Sequence, residues 1–193
     1  RTDFKDLEMY SLINQVEQLS DSPVVKEVKI DKKYETVLTE EEFERLVKTL
    51  DLADLISFDL ETTSVIAMEA DIVGISFSIK ENEGFYIPIL FPESISSLEL
   101  DYVLKKLKSI FENNKLHLTG QNIKYDSLIL SRYGINIATV GFDTMVAEHM
   151  LHPEKNSYKM DYLALDYLNY KMVPIEDLIG TGLHQKNMSE VPL

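Results

Sequence analysis

Residues 56–64 read ISFDLETTS, an apolar run that ends in two carboxylates separated by one residue. In a β-strand, residues i and i+2 point to the same face, with their Cα atoms roughly 6.5 Å apart. Asp59 and Glu61 would therefore lie side by side, and two like charges at that distance raise each other's pKa unless a cation lies between them. No lysine or arginine occurs between residues 51 and 79. A bound metal ion is therefore the natural neutraliser of the pair.

The chemistry of this pair points to a hard cation, because all-oxygen ligands select ions such as Mg²⁺ and Mn²⁺. The alternative is that Asp59 and Glu61 are two solvated acids at the end of a strand, and an isolated Asp-x-Glu does not separate these interpretations. A third acid, Asp126, lies one turn into a helix that is predicted to start from the corner Gly120–Asn122. An acid in that position is also favoured by the helix dipole alone.

The pattern around these acids predicts a mixed-sheet α/β domain. Thr39 and Glu42 form a capping-box signature before Phe43, Leu46 and Leu50, which recur at helical spacing. Strands predicted at 55–60, 72–79 and 84–89 follow one another and indicate an antiparallel meander. After the meander come a helix at 100–111, a strand at 116–119, a helix at 120–134, an edge strand at 135–140, helices at 143–151 and 160–167, and a short helical turn at 174–178.

The composition limits the classes of protein that this chain can represent. At 45% hydrophobic residues the chain can bury a sizeable core. It contains no cysteine, which excludes a disulfide framework and a thiolate metal site. Its formal net charge of −14 does not suit a protein that grips duplex nucleic acid through phosphates on its own. The chain begins with Arg1, so we expect it to be cut from a longer protein.

Six blocks of the sequence follow one another in this order: FDLETTS, VGISFSI, FYIPI, GQNIKYDSLIL, FDTMVAEHML and MDYLALDYLNYKMVPIEDLIGTG. Together they resemble the 3′→5′ proofreading exonuclease domain of bacterial (family A) DNA polymerase I. The resemblance runs from about residue 34 to the last residue. It implies a ribonuclease-H-like (DnaQ-like) α/β fold, with a mixed sheet that contains the meander and is flanked by helices. It also divides the chain into 1–33, an N-terminal helix and linker, and the exonuclease domain 34–193.

The same resemblance implies a two-metal hydrolase that removes 3′-terminal nucleotides from single-stranded DNA with Mg²⁺ or Mn²⁺. Carried over by motif, Asp59 would bridge both ions, Glu61 would bind the water-activating ion, and Asp126 would bind the other. The implied substrate contacts are Thr62, Val65, Gln121, Asn122 and Tyr125. Core packing is the alternative role for Val65, and helix capping is the alternative role for Asn122.

The third block of the family is a tyrosine followed four residues later by an aspartate. The sequence GTGLHQKNMSEVPL resembles the segment just upstream of that block, and the chain stops at Leu193. Tyr162 and Asp166 have the required spacing, but they lie in a segment that corresponds to an earlier helix of the family. We therefore expect an incomplete two-metal site and slow or absent cleavage. None of the four histidines is followed five residues later by an aspartate, so the class with a histidine base does not fit.

The resemblance implies two partners, the 3′ end of single-stranded DNA and the polymerase domain of a parent chain. It also implies a cytoplasmic, nucleoid-associated enzyme without membrane association. Two alternatives remain open: an RNase D-like 3′→5′ exoribonuclease, and a catalytically silent exonuclease fold that acts as a structural spacer. A preference for RNA ends would favour the first. The survival of all three acids, Asp59, Glu61 and Asp126, argues against the second.

Overall fold

The computed structural model describes residues 32–90, 98–182 and 185–191. The chain divides into two units between Ile30 and Asp31, and the described residues belong to the second unit. The helix predicted within residues 1–19 lies outside the described residues. The domain boundary placed between residues 33 and 34 stays a prediction.

The described residues form six strands, six helices and one 3₁₀ turn. In chain order these are β1 (Lys33–Thr36), α1 (Glu40–Asp51), β2 (Leu55–Thr62), β3 (Ile72–Lys80), β4 (Glu83–Pro88), α2 (Leu100–Phe111), β5 (His117–Gly120), α3 (Ile123–Arg132), β6 (Val140–Asp143), α4 (Thr144–Leu151), α5 (Met160–Leu168), α6 (Ile175–Ile179) and the 3₁₀ turn Met188–Glu190. None of the helices in this part of the chain is long and apolar enough to cross a membrane.

The strands make one mixed sheet in the order β1-β4-β3-β2-β5-β6. The central strands β2, β3 and β4 pair antiparallel, which confirms the predicted meander. The outer pairs, β1 with β4, β2 with β5 and β5 with β6, are parallel. Strand β2 therefore lies at the junction between the antiparallel and parallel halves of the sheet.

Local sequence explains why α1 and β2 form where they do. The Thr39 hydroxyl accepts a hydrogen bond from the backbone nitrogen of Glu42 at 3.2 Å, and the Glu42 carboxylate accepts one from the backbone nitrogen of Thr39 at 3.0 Å, so the predicted capping box is confirmed. Along β2, Phe58 and Leu60 are buried in the core, and the Phe58 ring meets Phe111 of α2 edge-on at 5.2 Å. The residues that alternate with them face the opposite side of the sheet.

The pairing of β2 with β3 changes register just after the carboxylate pair. Glu61 lies opposite Gly74, while Thr62 lies opposite Ile72, so Val73 is an additional residue on β3. A β-bulge of this kind bends the strand and re-aims the neighbouring side chains. The pairing of β2 with β3 is therefore regular up to Glu61 and irregular immediately beyond it.

The predicted edge strand at 135–140 is wrong in position. Ile135 is buried, and its backbone nitrogen bonds the carbonyl of Leu130 at 3.1 Å, so the residue closes the end of α3 instead of entering the sheet. Edge strand β6 begins only at Val140. There Gly141 lies so close to β5 that a Cβ atom on it would be 2.8 Å from the Cβ atom of His117. The apolar residues predicted as a strand serve the core from a loop.

Candidate active site

Strand β2 and helix α3 bring the three predicted acids together. Asp59 and Glu61 are half-buried neighbours on one face of β2. Asp126, in the first turn of α3, is only 2% exposed. Its Oδ1 atom accepts a hydrogen bond from the backbone nitrogen of Leu60 at 3.3 Å. The Asp126 carboxylate therefore reaches the backbone that lies between the other two acids, and we refer to Asp59, Glu61 and Asp126 as the acid trio.

The surroundings of the acid trio disfavour the charged forms of its carboxylates. Burial, followed by the charge of Glu61, raises the pKa of Asp59 to about 7. Burial, followed by the charge of Asp59, raises the pKa of Asp126 to about 7. Burial also raises the pKa of Glu61. No lysine or arginine within the described ranges offsets these shifts. A cation placed among the carboxylates would favour their charged forms and so oppose the rise in their pKa values.

The donor set of the acid trio suits a hard divalent ion, because it consists of carboxylate oxygens without competing nitrogen or sulfur. Within residues 32–90, 98–182 and 185–191, no three histidine, cysteine, aspartate or glutamate side chains are already arranged as a complete metal cluster. Asp59, Glu61 and Asp126 are the residues that would hold the ion, and their side chains would have to converge on it.

The start of α3 is fixed by Asp143, an acid from outside the helix. Its Oδ1 and Oδ2 atoms accept hydrogen bonds from the backbone nitrogens of Asn122 at 3.2 Å and Ile123 at 2.8 Å. The same carboxylate accepts from the backbone nitrogens of Met145 at 2.9 Å and Val146 at 3.1 Å, so it also caps α4. The helix-capping role considered for the Asn122 side chain is wrong, because that residue adopts a left-handed conformation with φ of 60° and makes no capping bond.

A cleft of about 770 Å³ opens beside Glu61, the member of the acid trio that lines it. Four of the five predicted substrate residues line this cleft, namely Thr62, Val65, Asn122 and Tyr125. Val65 is 93% exposed, so the alternative that it packs in the core is wrong. The remainder of the lining comes from Leu60, Thr63, Ser64, Ile175, Ile179, Gln185, Lys186, Asn187, Met188 and Glu190.

Tyr125 ties α3 to the turn that follows β2. Its hydroxyl lies 2.7 Å from the hydroxyl of Thr62 and donates a hydrogen bond to the carbonyl of Ser64. The Thr62 hydroxyl also donates to the Ser64 carbonyl, at 3.2 Å. These bonds hold one wall of the cleft against the helix that carries Asp126.

Gln121 is the predicted substrate residue that does not line the cleft. Its side-chain nitrogen donates to the carbonyl of Tyr158 at 2.7 Å, and its side-chain oxygen accepts from the hydroxyl of Thr144. Both ends of the amide therefore link the start of α3 to the α4 region. The substrate role of Gln121 stays a prediction that these bonds do not favour.

The pair Tyr162 and Asp166, which has the spacing of the missing third block, lies on α5. The Asp166 carboxylate pairs with Lys155 at 3.1 Å, and Lys155 pairs in turn with Glu148 at 2.5 Å. Tyr167 donates a hydrogen bond to Glu148 at 2.7 Å. We call Glu148, Lys155, Asp166 and Tyr167 the Glu148 cluster. Asp166 is therefore ion-paired with Lys155. This pairing fits the assignment of Asp166 to a helix that precedes the third block of the family.

Sequence reasoning missed several residues at the site. Ile175, Ile179 and Met188 also line the cleft, and their distance in sequence from Glu61 gave no local signal. Tyr86 was missed as well, although strand alternation in the FYIPI block could have identified it. Burial, followed by the charge of Glu61, raises the pKa of Tyr86 to about 12, so this tyrosine lies close to the acid trio.

Comparison with known proteins places these features in context. Residues 34–186 match the sequence profile of a 3′-5′ exonuclease family. DNA polymerase I of Pseudomonas aeruginosa is 35% identical over 181 residues, which cover 90% of this chain and 19% of that protein. DNA polymerase I of Borreliella burgdorferi is 37% identical over 157 residues, which cover 81% of this chain and 17% of that protein. The chain thus spans less than a fifth of the length of these relatives.

Solved structures share the fold at low sequence identity. Pol1 from M. smegmatis, in complex with DNA primer-template and dNTP, has a TM-score of 0.58 and 19% identity and covers 72% of this chain and 23% of its own. Trypanosoma brucei RNase D, in complex with RNA U12, has a TM-score of 0.60 and 17% identity, with coverages of 75% and 49%. Brucella melitensis NrnC with bound Mg²⁺ has a TM-score of 0.54 and 9% identity, with coverages of 75% and 65%. The predicted ribonuclease-H-like α/β fold is confirmed.

Proposed function

This chain belongs to the family of 3′-5′ exonucleases found in bacterial DNA polymerase I, and from this premise we propose that it hydrolyses the 3′-terminal nucleotides of single-stranded DNA with Mg²⁺ or Mn²⁺. The observation that carries the proposal is the acid trio: three carboxylates from β2 and α3 lie near one another without a protein cation, and Asp59 and Asp126 have pKa values raised to about 7. A buried set of like charges is costly unless cations complete it.

Asp59, Glu61 and Asp126 would each act as a metal ligand. Asp59 would serve both ions, and its position between the other two acids supports this role: the charge of Glu61 raises the pKa of Asp59, and the charge of Asp59 raises the pKa of Asp126. When bound, the two ions supply an activated water and stabilise the leaving 3′-oxygen. Hydrolysis adds that water to the terminal phosphodiester and releases a nucleoside monophosphate. Asp143 and Tyr125 would keep Asp126 and the cleft wall in register with β2 through the bonds described above.

The cleft beside Glu61 suits the terminal nucleotide. Its volume of about 770 Å³ lies in the range of small-ligand sites. Apolar side chains that line the cleft, among them Val65, Ile179 and Met188, can hold a base by stacking and wedging without reading its identity. Asn122 adds a polar side chain that makes no capping bond to its own helix. A proofreading site needs this tolerance of all four bases.

We propose DNA and not RNA as the substrate because the sequence relatives that exceed 30% identity over most of this chain are DNA polymerases. The likeness to an RNase D concerns the fold alone at 17% identity. Competition between labelled DNA and RNA oligonucleotides of the same sequence tests this choice. Preferential trimming of the RNA would favour the exoribonuclease alternative.

A slow reaction is expected from this chain. Asp166 is paired with Lys155 and does not serve as a fourth metal ligand. The net charge of −14 disfavours DNA binding, and the site carboxylates repel DNA until cations bind there. In a parent polymerase, in the cytoplasm and close to the nucleoid, a basic polymerase domain would deliver the frayed 3′ end. DNA affinity that is tight and indifferent to divalent ions would contradict this account.

The central experiment measures two properties of the chain and of its Asp59→Asn variant: binding of Mn²⁺ by electron paramagnetic resonance, and single-turnover trimming of a 5′-labelled single strand. We expect Mn²⁺ binding by the parent sequence and a slow or undetectable ladder of products shortened from the 3′ end. Asp59→Asn should remove both. Asp51→Asn, an exposed acid at the end of α1, is the matched control and should change neither.

Two outcomes would overturn the proposed function. One is Mn²⁺ binding that is unaffected by Asp59→Asn or absent from the parent sequence. The other is nuclease activity that cuts internally, or from the 5′ end, or that persists in Asp59→Asn. A chain that binds Mn²⁺ through Asp59 but trims below detection would support the metal site and the expected incompleteness together.

A further inference from the structure

Tyr86 on β4 lies on the same face of the sheet as Asp59 and Glu61, two strands away from them. Asp59 lies opposite Ser76 on β3, and Ser76 lies opposite Tyr86 on β4. Directly opposed residues point to the same face of a sheet. The Tyr86 side chain therefore projects from the face that carries Asp59 and Glu61.

The Tyr86 ring extends beyond the row of paired residues that Tyr86 shares with Asp59 and Ser76. In the next row, Glu61 lies opposite Gly74. A Cβ atom on Gly74 would be 2.2 Å from the Tyr86 hydroxyl oxygen and 2.4 Å from Cζ, so the end of the phenol ring occupies the space where a side chain on Gly74 would stand. Neighbouring strands in a sheet are about 4.8 Å apart, so a ring that lies over Gly74 is about one strand spacing away from Glu61.

Tyr86 and Glu61 have complementary groups without other partners. Within the described parts of the chain, neither the Tyr86 hydroxyl nor the Glu61 carboxylate makes a hydrogen bond with another protein group. The hydroxyl is a donor and the carboxylate is an acceptor. A donor without an acceptor on Tyr86 and an acceptor without a donor on Glu61 thus lie on either side of Gly74, on the β4 side of Glu61.

We infer that Tyr86 is a positioning residue for Glu61: its ring confines the carboxylate from the β4 side, and its hydroxyl supplies the hydrogen-bond donor that orients it toward a divalent ion. The inference rests on the proposed function, because it assigns Glu61 as a metal ligand. Outer partners of metal ligands fix ligand orientation, and their removal typically weakens metal affinity roughly 10- to 100-fold. Gly74 is part of the arrangement, since any side chain there would displace the ring.

The test compares Mn²⁺ dissociation constants of the chain and its variants by electron paramagnetic resonance, with urea unfolding as a check on folding. Tyr86→Phe keeps the ring and removes the hydroxyl, and we expect it to weaken Mn²⁺ binding roughly tenfold without lowering the unfolding midpoint. Tyr34→Phe is the matched control. Tyr34 lies opposite Gly84 on the same face of the sheet, where a Cβ atom on Gly84 would be 3.3 Å from the Tyr34 ring, but it is one strand further from Glu61 and should leave the affinity unchanged.

A double-mutant cycle tests the role of the glycine. Gly74→Ala should weaken Mn²⁺ binding in the parent sequence, because the new methyl group pushes the phenol ring away. In a Tyr86→Ala background the same substitution should have little further effect, because no ring remains to be displaced. Equal effects of Gly74→Ala in both backgrounds would show that the glycine acts independently of Tyr86 and would overturn this part of the inference.

The outcomes separate the inference from the proposed function. If Asp59→Asn abolishes Mn²⁺ binding while Tyr86→Phe binds like the parent sequence, the metal site stands and the positioning role of Tyr86 is overturned. If the parent sequence binds no Mn²⁺, or if Asp59→Asn leaves binding intact, the proposed function fails and the inference falls with it. If Tyr86→Phe weakens binding and Tyr34→Phe does not, the inference is supported.

Discussion

Two buried acids of this protein live in opposite environments. Asp126 is 2% exposed and Glu148 is 3% exposed, and they are the two buried charged residues in the described part of the chain. Asp126 accepts a hydrogen bond from the backbone of Leu60, and burial followed by the charge of Asp59 raises its pKa to about 7. Burial also acts to raise the pKa of Glu148, but hydrogen bonds from Lys155 and Tyr167 outweigh it, and the net shift is downward.

The comparison shows that burial alone does not mark a functional acid. Both carboxylates are removed from water, and the difference lies in whether the protein supplies the compensating cation. The Glu148 cluster contains its own lysine, 15% exposed, and needs nothing from outside. The acid trio has no such lysine, so its charge is left for an ion from solution. A buried acid with a perturbed pKa and without a protein cation is thus the better marker of a site.

The largest expected effect comes from removing the internal cation of the Glu148 cluster. Lys155→Met would leave Glu148 buried and unpaired, and breaking a buried ion pair in this way costs about 3–5 kcal/mol. Urea unfolding at neutral pH measures the loss. Lys80→Met is the control, because the Lys80–Glu83 pair is more exposed and should contribute about 1 kcal/mol or less. Equal losses in both variants would remove the contrast between cluster and surface.

Divalent ions should stabilise the folded chain by the next largest amount. A ligand that binds only the folded state at a concentration 100 times its dissociation constant adds about 2.7 kcal/mol to the free energy of unfolding. Thermal unfolding with and without Mg²⁺ at pH 8 tests this expectation. The stabilisation should disappear in Glu61→Gln and persist in Lys155→Met. The opposite pattern would place the ion at the Glu148 cluster.

Asp126→Asn should stabilise the metal-free protein at high pH. A carboxyl whose folded pKa is raised contributes full stability below its unfolded pKa of about 3.8, and that contribution is lost as the pH rises toward about 7. Asparagine removes the loss and keeps an oxygen for the Leu60 nitrogen. The raised pKa corresponds to about 4 kcal/mol at pH 8, and burying the new amide nitrogen costs about 1–3 kcal/mol of that gain. We therefore expect a net gain of about 1–2 kcal/mol at pH 8 that is lost near pH 4, measured by urea unfolding in the presence of a chelator. A gain independent of pH would contradict the electrostatic cause.

The smallest effect is expected at the edge of the Glu148 cluster. Tyr167→Phe removes one hydrogen bond to Glu148, 2.7 Å long, from a side chain that is itself largely exposed. The loss in the free energy of unfolding should be about 1 kcal/mol, because Lys155 still compensates the carboxylate. A loss as large as that of Lys155→Met would mean that the hydroxyl and not the lysine holds Glu148 in place.

The sequence predicted the elements that are set by local chemistry. The capping box at Thr39 and the strand alternation around Asp59 depend on residues a few positions apart, and both were found as expected. The three acids that β2 and α3 bring near one another were also proposed from the sequence, and their role in a site stays a prediction. Their meeting depended on the resemblance to a family, since nothing local links residue 126 to residue 59.

The features that escaped prediction depend on contacts between distant parts of the chain. Asp143 caps α3 from 20 residues away as well as capping its own helix, and no local pattern reports the first bond. Lys155 lies in an irregular segment before α5, so its burial against Glu148 follows only from how α4 and α5 pack. The apolar residues around Ile135 resemble a strand because loops that cover a core have the same composition.

The β-bulge at Val73 separates two parts of the domain whose lengths can change independently of each other. Up to Glu61 the pairs between β2 and β3 hold the carboxylates in a fixed register, and beyond it the bulge absorbs one unmatched residue before the chain enters the cleft wall. Residues inserted or deleted between Thr63 and Asp71 are therefore taken up past the bulge and leave the spacing of the carboxylates untouched. A loop of different length at 63–71 would thus reshape the cleft wall while the register of the carboxylates stays fixed.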